Sequence, residues 1–195
     1  MDEFDDETEK KMTELVSETE KLMDEFWNRI IYKELSLEIL AAIPDDKIEL
    51  AILDYIDTKI SDYRVRFDAI SGMSEGFQMV YSTTTLETQV NNGGFNQFFH
   101  NPSGQYAEMA LRSLKLIGAI EYYEILQKAI ETYMKEKENP ELQNLYSQRT
   151  LEGFSESYKL TSLGEWDEKF YALGERLGQL RMDFIRLKPQ LFVGT

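Results

Sequence analysis

Glu87-Thr-Gln-Val-Asn91-Asn92-Gly93-Gly94-Phe95-Asn96-Gln97-Phe98-Phe99-His100-Asn101-Pro102-Ser103-Gly104 interrupts, twice, a chain that otherwise favours helix. Asn and Gly tolerate left-handed backbone angles, so the Asn-Asn-Gly-Gly quartet predicts a helix end with a sharp reversal. Asn-Pro-Ser-Gly is a second reversal, where Pro102 has no backbone N–H to donate. Between the two, Phe95, Phe98 and Phe99 fall at helical spacing and anchor a new helix in a core. Upstream, Thr84-Thr-Leu-Glu87 fits a capping box, with Glu87 as the partner of Thr84, and predicts that the helix leading into the block begins there. Residues 70–81, which contain Gly72 and Gly76, are expected to form a long loop.

The pattern on both sides is helical. Downstream, Tyr106, Ala110, Leu114 and Ile117 form a stripe that ends at Gly118. Residues 120–137 repeat it with Tyr122, Leu126, Ala129, Ile130 and Tyr133, and Asn139-Pro140 breaks the run. A looser connection is expected through Gly153 and Ser155 to Leu160. Ser162-Leu-Gly-Glu165 then reads as a second capping box opening one long final helix. Its residues Leu163, Trp166, Phe170, Leu173, Leu177, Leu180, Phe184 and Leu187 make a heptad seam suited to a bundle or to a dimer. Gly174 and Gly178, four apart, would let a neighbouring helix approach closely.

Towards the N-terminus, residues 7–34 carry Met12, Leu15, Val16, Leu22, Met23, Phe26 and Ile30 at steps of three and four. Ser36 starts a short helix that ends before Pro44. Pro44-Asp45-Asp46 opens a longer one, with Ile48, Ile52, Tyr55, Ile56, Ile60, Tyr63 and Phe67 as its buried stripe. No β pattern competes. The fold expected is all-α, a multi-helix, bundle-like single domain (residues 45–195) preceded by an acidic N-terminal helical segment (residues 1–44).

Composition limits function. The 195 residues include 11 Phe, 11 Tyr and 2 Trp, enough to fill a core. There is no cysteine, which excludes disulfides, zinc–thiolate sites and thiol catalysis. An acidic N-terminus with no apolar core after it is unlike a signal peptide, and no run has the length of a membrane span, so a cytoplasmic location is expected. The net charge is −15. Residues 1–25 hold 11 acids and 3 bases, a net of −8, so over half the excess lies in the first eighth of the chain. Such a field repels nucleic acid and anionic membranes and attracts basic partners.

The signature Glu-x3-Asn-Asn-Gly-Gly-Phe-x-Gln-Phe-Phe-x-Asn-x2-Gly resembles that of the DNA mimic protein family, a bacterial family named after an acidic, helical, dimeric DNA mimic. In this chain it comprises Glu87, Asn91, Asn92, Gly93, Gly94, Phe95, Gln97, Phe98, Phe99, Asn101 and Gly104. Ala-Leu-x5-Ile-Gly at 110–118 and the closing segment 166–192 extend the resemblance, which spans roughly residues 45–192. It implies a helical fold and a binding role, with no residue-level interface and no cofactor. The signature itself reads as architectural.

Mimicry needs carboxylates spaced as phosphates are. Helical acids four apart sit ~5–6 Å from each other. Glu14/Glu18 and Glu20/Asp24 have that spacing, with Glu25 beside them and Asp54 and Asp57 three apart further on. These seven are the candidate partner-binding residues, the partner being a basic protein, in particular a DNA-binding one. Direct nucleic-acid or membrane binding is not expected. A homodimer suits the seam and the acidic helix. Two alternatives stand beside this reading. One is a small-ligand or enzymatic site at residues 91–100, with backbone N–H groups after Gly93-Gly94 as an anion site and Asn96, Gln97 and His100 as polar ligands. His100, the only histidine, would carry a triad there, or a metal site with Glu87 or Glu108. The other alternative is a structural scaffold. No metal site, cofactor or catalytic set is assigned, and the chain is read as a non-enzyme.

Overall fold

The computed structural model describes residues 6–148, 150–174 and 176–193. Among these, the chain is α-helical with three short 3-10 turns and no strand. It divides into two compact units, Met1–Tyr32 and Lys33–Thr195. The first holds α1 (Asp6–Trp27), which stops three residues short of Ile30. Asn28 makes the last helical bond, its N–H donating to the Asp24 carbonyl at 3.0 Å, and its side chain donates to the Asp24 carboxylate at 2.7 Å.

In the second unit, Ser36 caps α2 (Leu37–Ala42) by accepting the Ile39 N–H at 3.2 Å. Helix α3 (Asp45–Thr58) starts after Pro44 and buries Ile48, Ile52, Tyr55 and Ile56. Its stripe ends at the buried Ile60, because the chain then turns and leaves Tyr63 67% exposed. A 3-10 turn (Tyr63–Val65) leads into α4 (Arg66–Ser71).

Helix α5 (Glu75–His100) is the centre of the fold, packing against α3, α4, α6 (Ala107–Leu116), α10 (Gly164–Ala172) and α11 (Arg176–Leu187). It corrects two expectations. Only residues 72–74 separate α4 from α5, so residues 70–81 are not a long loop. A helix covered on several sides has no single apolar stripe, so Gly72 and Gly76 dominated the local pattern. Gly76 is there for contact: a Cβ on it would lie 2.8 Å from the Leu191 Cβ and carbonyl oxygen in the closing 3-10 turn (Pro189–Phe192). Thr84–Glu87 lies inside α5 and caps nothing.

After the 3-10 turn Pro102–Tyr106, α6 and α7 (Ile120–Glu136) follow the expected boundaries. The looser connection beyond them is two short helices, α8 (Pro140–Gln148) and α9 (Leu151–Ser157). Thr150 starts α9 by accepting the Gly153 N–H at 3.0 Å. The single last helix is likewise two, α10 and α11, broken where Gly174 takes φ +67°. Ser162 does not cap α10 with its side chain; its own N–H donates to the Glu136 carboxylate at 3.0 Å. Leu163, Phe170 and Leu177 of the seam lie in the same buried cluster as Phe95, Phe98, Leu114 and Leu126. The seam therefore closes inside the chain. Its last member, Leu187, is 72% exposed. Neither Gly174 nor Gly178 admits a close helix, since a Cβ on the first meets nothing within 4 Å and on the second only an Arg181 nitrogen.

Candidate functional site

The signature is hydrogen-bonded to several distant elements. At Gly93 (φ −163°, ψ 35°) and Gly94 (φ +65°, ψ −178°) the helical path breaks and a new one starts at once. The Gly94 angles belong to a region that only glycine occupies without strain. The break bends the chain sharply: the Asn101 side-chain NH2 donates to Gln89 Oε1 at 2.8 Å. In a straight helix those residues would stand ~18 Å apart along the axis.

A broken helix frees carbonyls behind the break and N–H groups beyond it, and buried ones need partners. Three of these groups are met from distant elements. Tyr171 of α10 donates to the Val90 carbonyl at 2.7 Å, and the Tyr158 hydroxyl donates to the Gly93 carbonyl. Asp167 of α10 accepts the Phe95 N–H at 2.7 Å. At the Phe95 N–H, the place of the alternative anion site after Gly93-Gly94 is thus taken by the chain's own carboxylate, as the architectural reading of the signature requires. Burial raises the Asp167 pKa, the Phe95 N–H opposes the rise and Glu168 adds to it. Burial, then Asp167 and Tyr171, push the Tyr158 pKa up to about 12, so this phenol acts as a donor and not as a base.

The remaining polar residues of 91–100 are engaged or outward. Asn96 is fully buried, donating to Ser157 Oγ at 2.8 Å and accepting from the Tyr146 hydroxyl at 2.5 Å. Gln97 accepts from Asn92 at 3.1 Å and donates to Gln89 at 3.2 Å. Asn91 is exposed. His100 is half-buried against the rings of Tyr146 and Phe154, with centroids 4.8 and 5.6 Å away. Phe95, Phe98 and Phe99 are buried as expected, and Gly104 lies so close to them that a Cβ on it would stand 3.1 Å from the Phe99 Cα.

Glu87 has a different partner from the one its sequence suggests. Arg181 of α11, 3% exposed, donates Nη2 to Glu87 and Nε to Glu49, each at 2.6 Å, while Thr84 donates to the other Glu49 oxygen at 3.1 Å. Burial works to lower the Arg181 pKa, and the two glutamates outweigh it, so the net shift is upward. One guanidinium thus ties α3, α5 and α11 together. No local spacing announces this pairing, because Glu87 and Arg181 are 94 residues apart.

The candidate partner-binding acids fall in two places. Glu14, Glu18, Glu20, Asp24 and Glu25 are exposed on α1. Asp54 is half-buried on α3, and Asp57 lies 3.7 Å from Arg66. Among the described residues no group of three or more His, Cys, Asp and Glu side chains is gathered as a metal site requires, and no helix is long and apolar enough to cross a membrane. One sizeable cleft, of about 570 Å³, is open beside α5, lined by Arg66, Tyr81, Thr88, Gln89, Asn101 and Tyr106 among others. Neither Asn91 nor His100 lines it. Its sequence signal is the polar run Thr84-Thr85-x-x-Thr88-Gln89 on an otherwise apolar helix, the first part of which also fits a capping box.

A family model described as DMP19-like protein matches residues 71–188, well over half of the 195 residues. No curated protein matches the chain.

Proposed function

The chain belongs to the DMP19-like protein family, and from that premise we propose that it is a cytoplasmic DNA mimic that binds a basic, nucleic-acid-binding protein. The observation that carries the reading is the carboxylate density of α1. Glu14, Glu18, Glu20, Asp24 and Glu25 are exposed on one helix with Lys21 among them. Over ~17 Å of helix axis this leaves a net negative charge every ~4 Å, close to the ~3.4 Å between phosphates on one DNA strand. A basic groove built for phosphates would meet a similar linear charge. These acids, with Asp54 and Asp57, lie outside the matched residues. The family therefore supports the fold and the kind of role, and α1 supplies the charge. No catalytic step is assigned. Self-association belongs to the proposal as well, and with the seam closed inside the chain a homodimer needs another surface; a monomeric mass by light scattering at working concentration would remove it.

The test has two stages. Capture from a host extract at low and high salt yields candidate partners, and each is then loaded with labelled duplex DNA. The wild-type protein is expected to release the duplex in fluorescence anisotropy, less effectively as salt rises. The variant Glu14→Gln, Glu18→Gln, Glu20→Gln, Asp24→Asn is expected to lose that release. Equal release by the variant, or affinity indifferent to salt, sinks the proposal.

A further inference from the structure

The cleft beside α5 has a chemistry that the carboxylate surface does not use, and the geometry points to a binding site for a small hydroxylated monocarboxylate, of the sugar-acid class. Four elements frame it: α3, the turn at Tyr63–Val65 with the start of α4, the Tyr81–Gln89 face of α5, and the 3-10 turn Pro102–Tyr106. Its volume, about 570 Å³, is within the ~300–1,000 Å³ usual for small-molecule sites.

Arg66 fixes the charge of the ligand. Its Nη1 donates to the Tyr81 hydroxyl at 3.0 Å, and its guanidinium lies over the Tyr63 ring at 4.1 Å. Nη2 is 3.7 Å from Asp57, beyond hydrogen-bond distance, and Nε is buried with no acceptor in the chain. The Nε/Nη2 edge is one of the forks that a carboxylate takes with two parallel bonds. The Tyr106 residue is 97% buried, being 3% exposed, and its hydroxyl makes no hydrogen bond of adequate geometry, although Tyr81 is its ring neighbour at 5.1 Å. Three buried side-chain polar atoms among the described residues lack partners, and two of them belong to this one cleft. Buried polar groups are otherwise satisfied almost everywhere in proteins; both atoms are closed to solvent here, so a ligand oxygen takes them only when the Arg66 or Tyr106 side chain shifts towards the cleft.

The rest of the wall fits hydroxyls. Thr85 and Thr88 of α5 and Gln105 of the turn line it, two hydroxyl-bearing side chains and one amide. Gln89 is held by the signature itself: Gln97 and Asn101 both donate to its Oε1, which leaves its NH2 without an acceptor. The bend at Gly93-Gly94 brings Asn101 back to Gln89 and so shapes this wall. A single arginine, partly offset by Asp57 in a chain of net charge −15, favours one negative charge over several. Tyr63, Tyr81 and Tyr106 offer ring faces for the apolar side of a sugar.

Titration calorimetry of the full chain with D-glucuronate and D-gluconate tests the site, with D-glucose and D-glucose 6-phosphate as the neutral and dianionic arms. Both sugar acids are expected to bind, glucose at least about tenfold more weakly, and Arg66→Lys is expected to weaken the acids at least about tenfold because it keeps the charge and loses the fork. Thr88→Val, at an exposed position that cannot disturb the core, is expected to weaken them too while the melting temperature stays unchanged. The inference is overturned if neither acid binds at about 10 mM, a concentration that reveals even ~mM affinities. It is equally overturned if glucose 6-phosphate binds more tightly than the acids, or if both variants bind them as the wild type does.

Discussion

Replacing Arg181 by Met tests the centre of the fold most directly. The Arg181 side chain is 4% exposed and holds the Glu49 and Glu87 side chains, themselves 25% and 17% exposed, at 2.6 Å each. Methionine fills much of the same volume and removes the charge, leaving two carboxylates facing each other. At roughly 5 Å and an effective dielectric of about 20 their repulsion is ~3 kcal/mol. Breaking a buried pair by deleting one partner typically costs ~3–5 kcal/mol. For a domain of this size that is a fall in Tm of ~6–20 °C. Urea unfolding followed by circular dichroism at 222 nm measures the free energy. The triple variant Glu49→Gln, Glu87→Gln, Arg181→Met removes the repulsion and keeps an acceptor for Thr84, so it is expected to recover more than half of the loss. Arg181 Nη1, buried without a partner, limits how much the intact network contributes in the first place. A cost below ~1 kcal/mol for Arg181→Met, or a triple variant less stable than the single one, would refute the reasoning, since both outcomes mean the carboxylates do not need this cation.

Two further outcomes follow from the bend in α5. Gly94→Ala places a Cβ 2.3 Å from Asp167 Oδ2 at φ +65°, so a loss of ~3 kcal/mol or more is expected, while Gly93→Ala, at an extended φ, meets the Gln97 amide oxygen at 2.3 Å and the Gln97 Cβ at 3.0 Å and should cost less, ~1–2 kcal/mol; thermal melts of the pair decide it. Asp167 has a raised pKa in the folded chain, so the stability linked to its protonation is complete below the unfolded value near 3.8 and is lost as pH rises through the higher folded value. Asp167→Asn lacks that loss, and its stability relative to wild type should therefore climb between pH 4 and neutrality in parallel urea titrations; a constant difference would show that Asp167 does not titrate in that window.

The sequence by itself determined the helical class, the family signature, the amphipathic helices α3, α6 and α7, and the place where α5 breaks. These rest on local physics: apolar spacing, caps such as Ser36, and the backbone freedom of Gly93-Gly94. The seven acids proposed to meet a partner were legible as charges and as spacing, because both are properties of adjacent turns. Tertiary structure alone decided what the signature does. Its freed carbonyls and N–H groups are met by Tyr158, Asp167 and Tyr171, 65 to 81 residues away, and Glu87 by Arg181 across 94. The cleft was hidden for another reason: its arginine and threonines, close in sequence, come from separate helices, and part of its polar stripe also fits a cap. Tertiary structure also decided that α5, surrounded on several sides, is helical through residues that read as a loop. Local patterns record which face of a segment prefers water; they carry no term for the partner that a buried polar group finds only when the chain has folded.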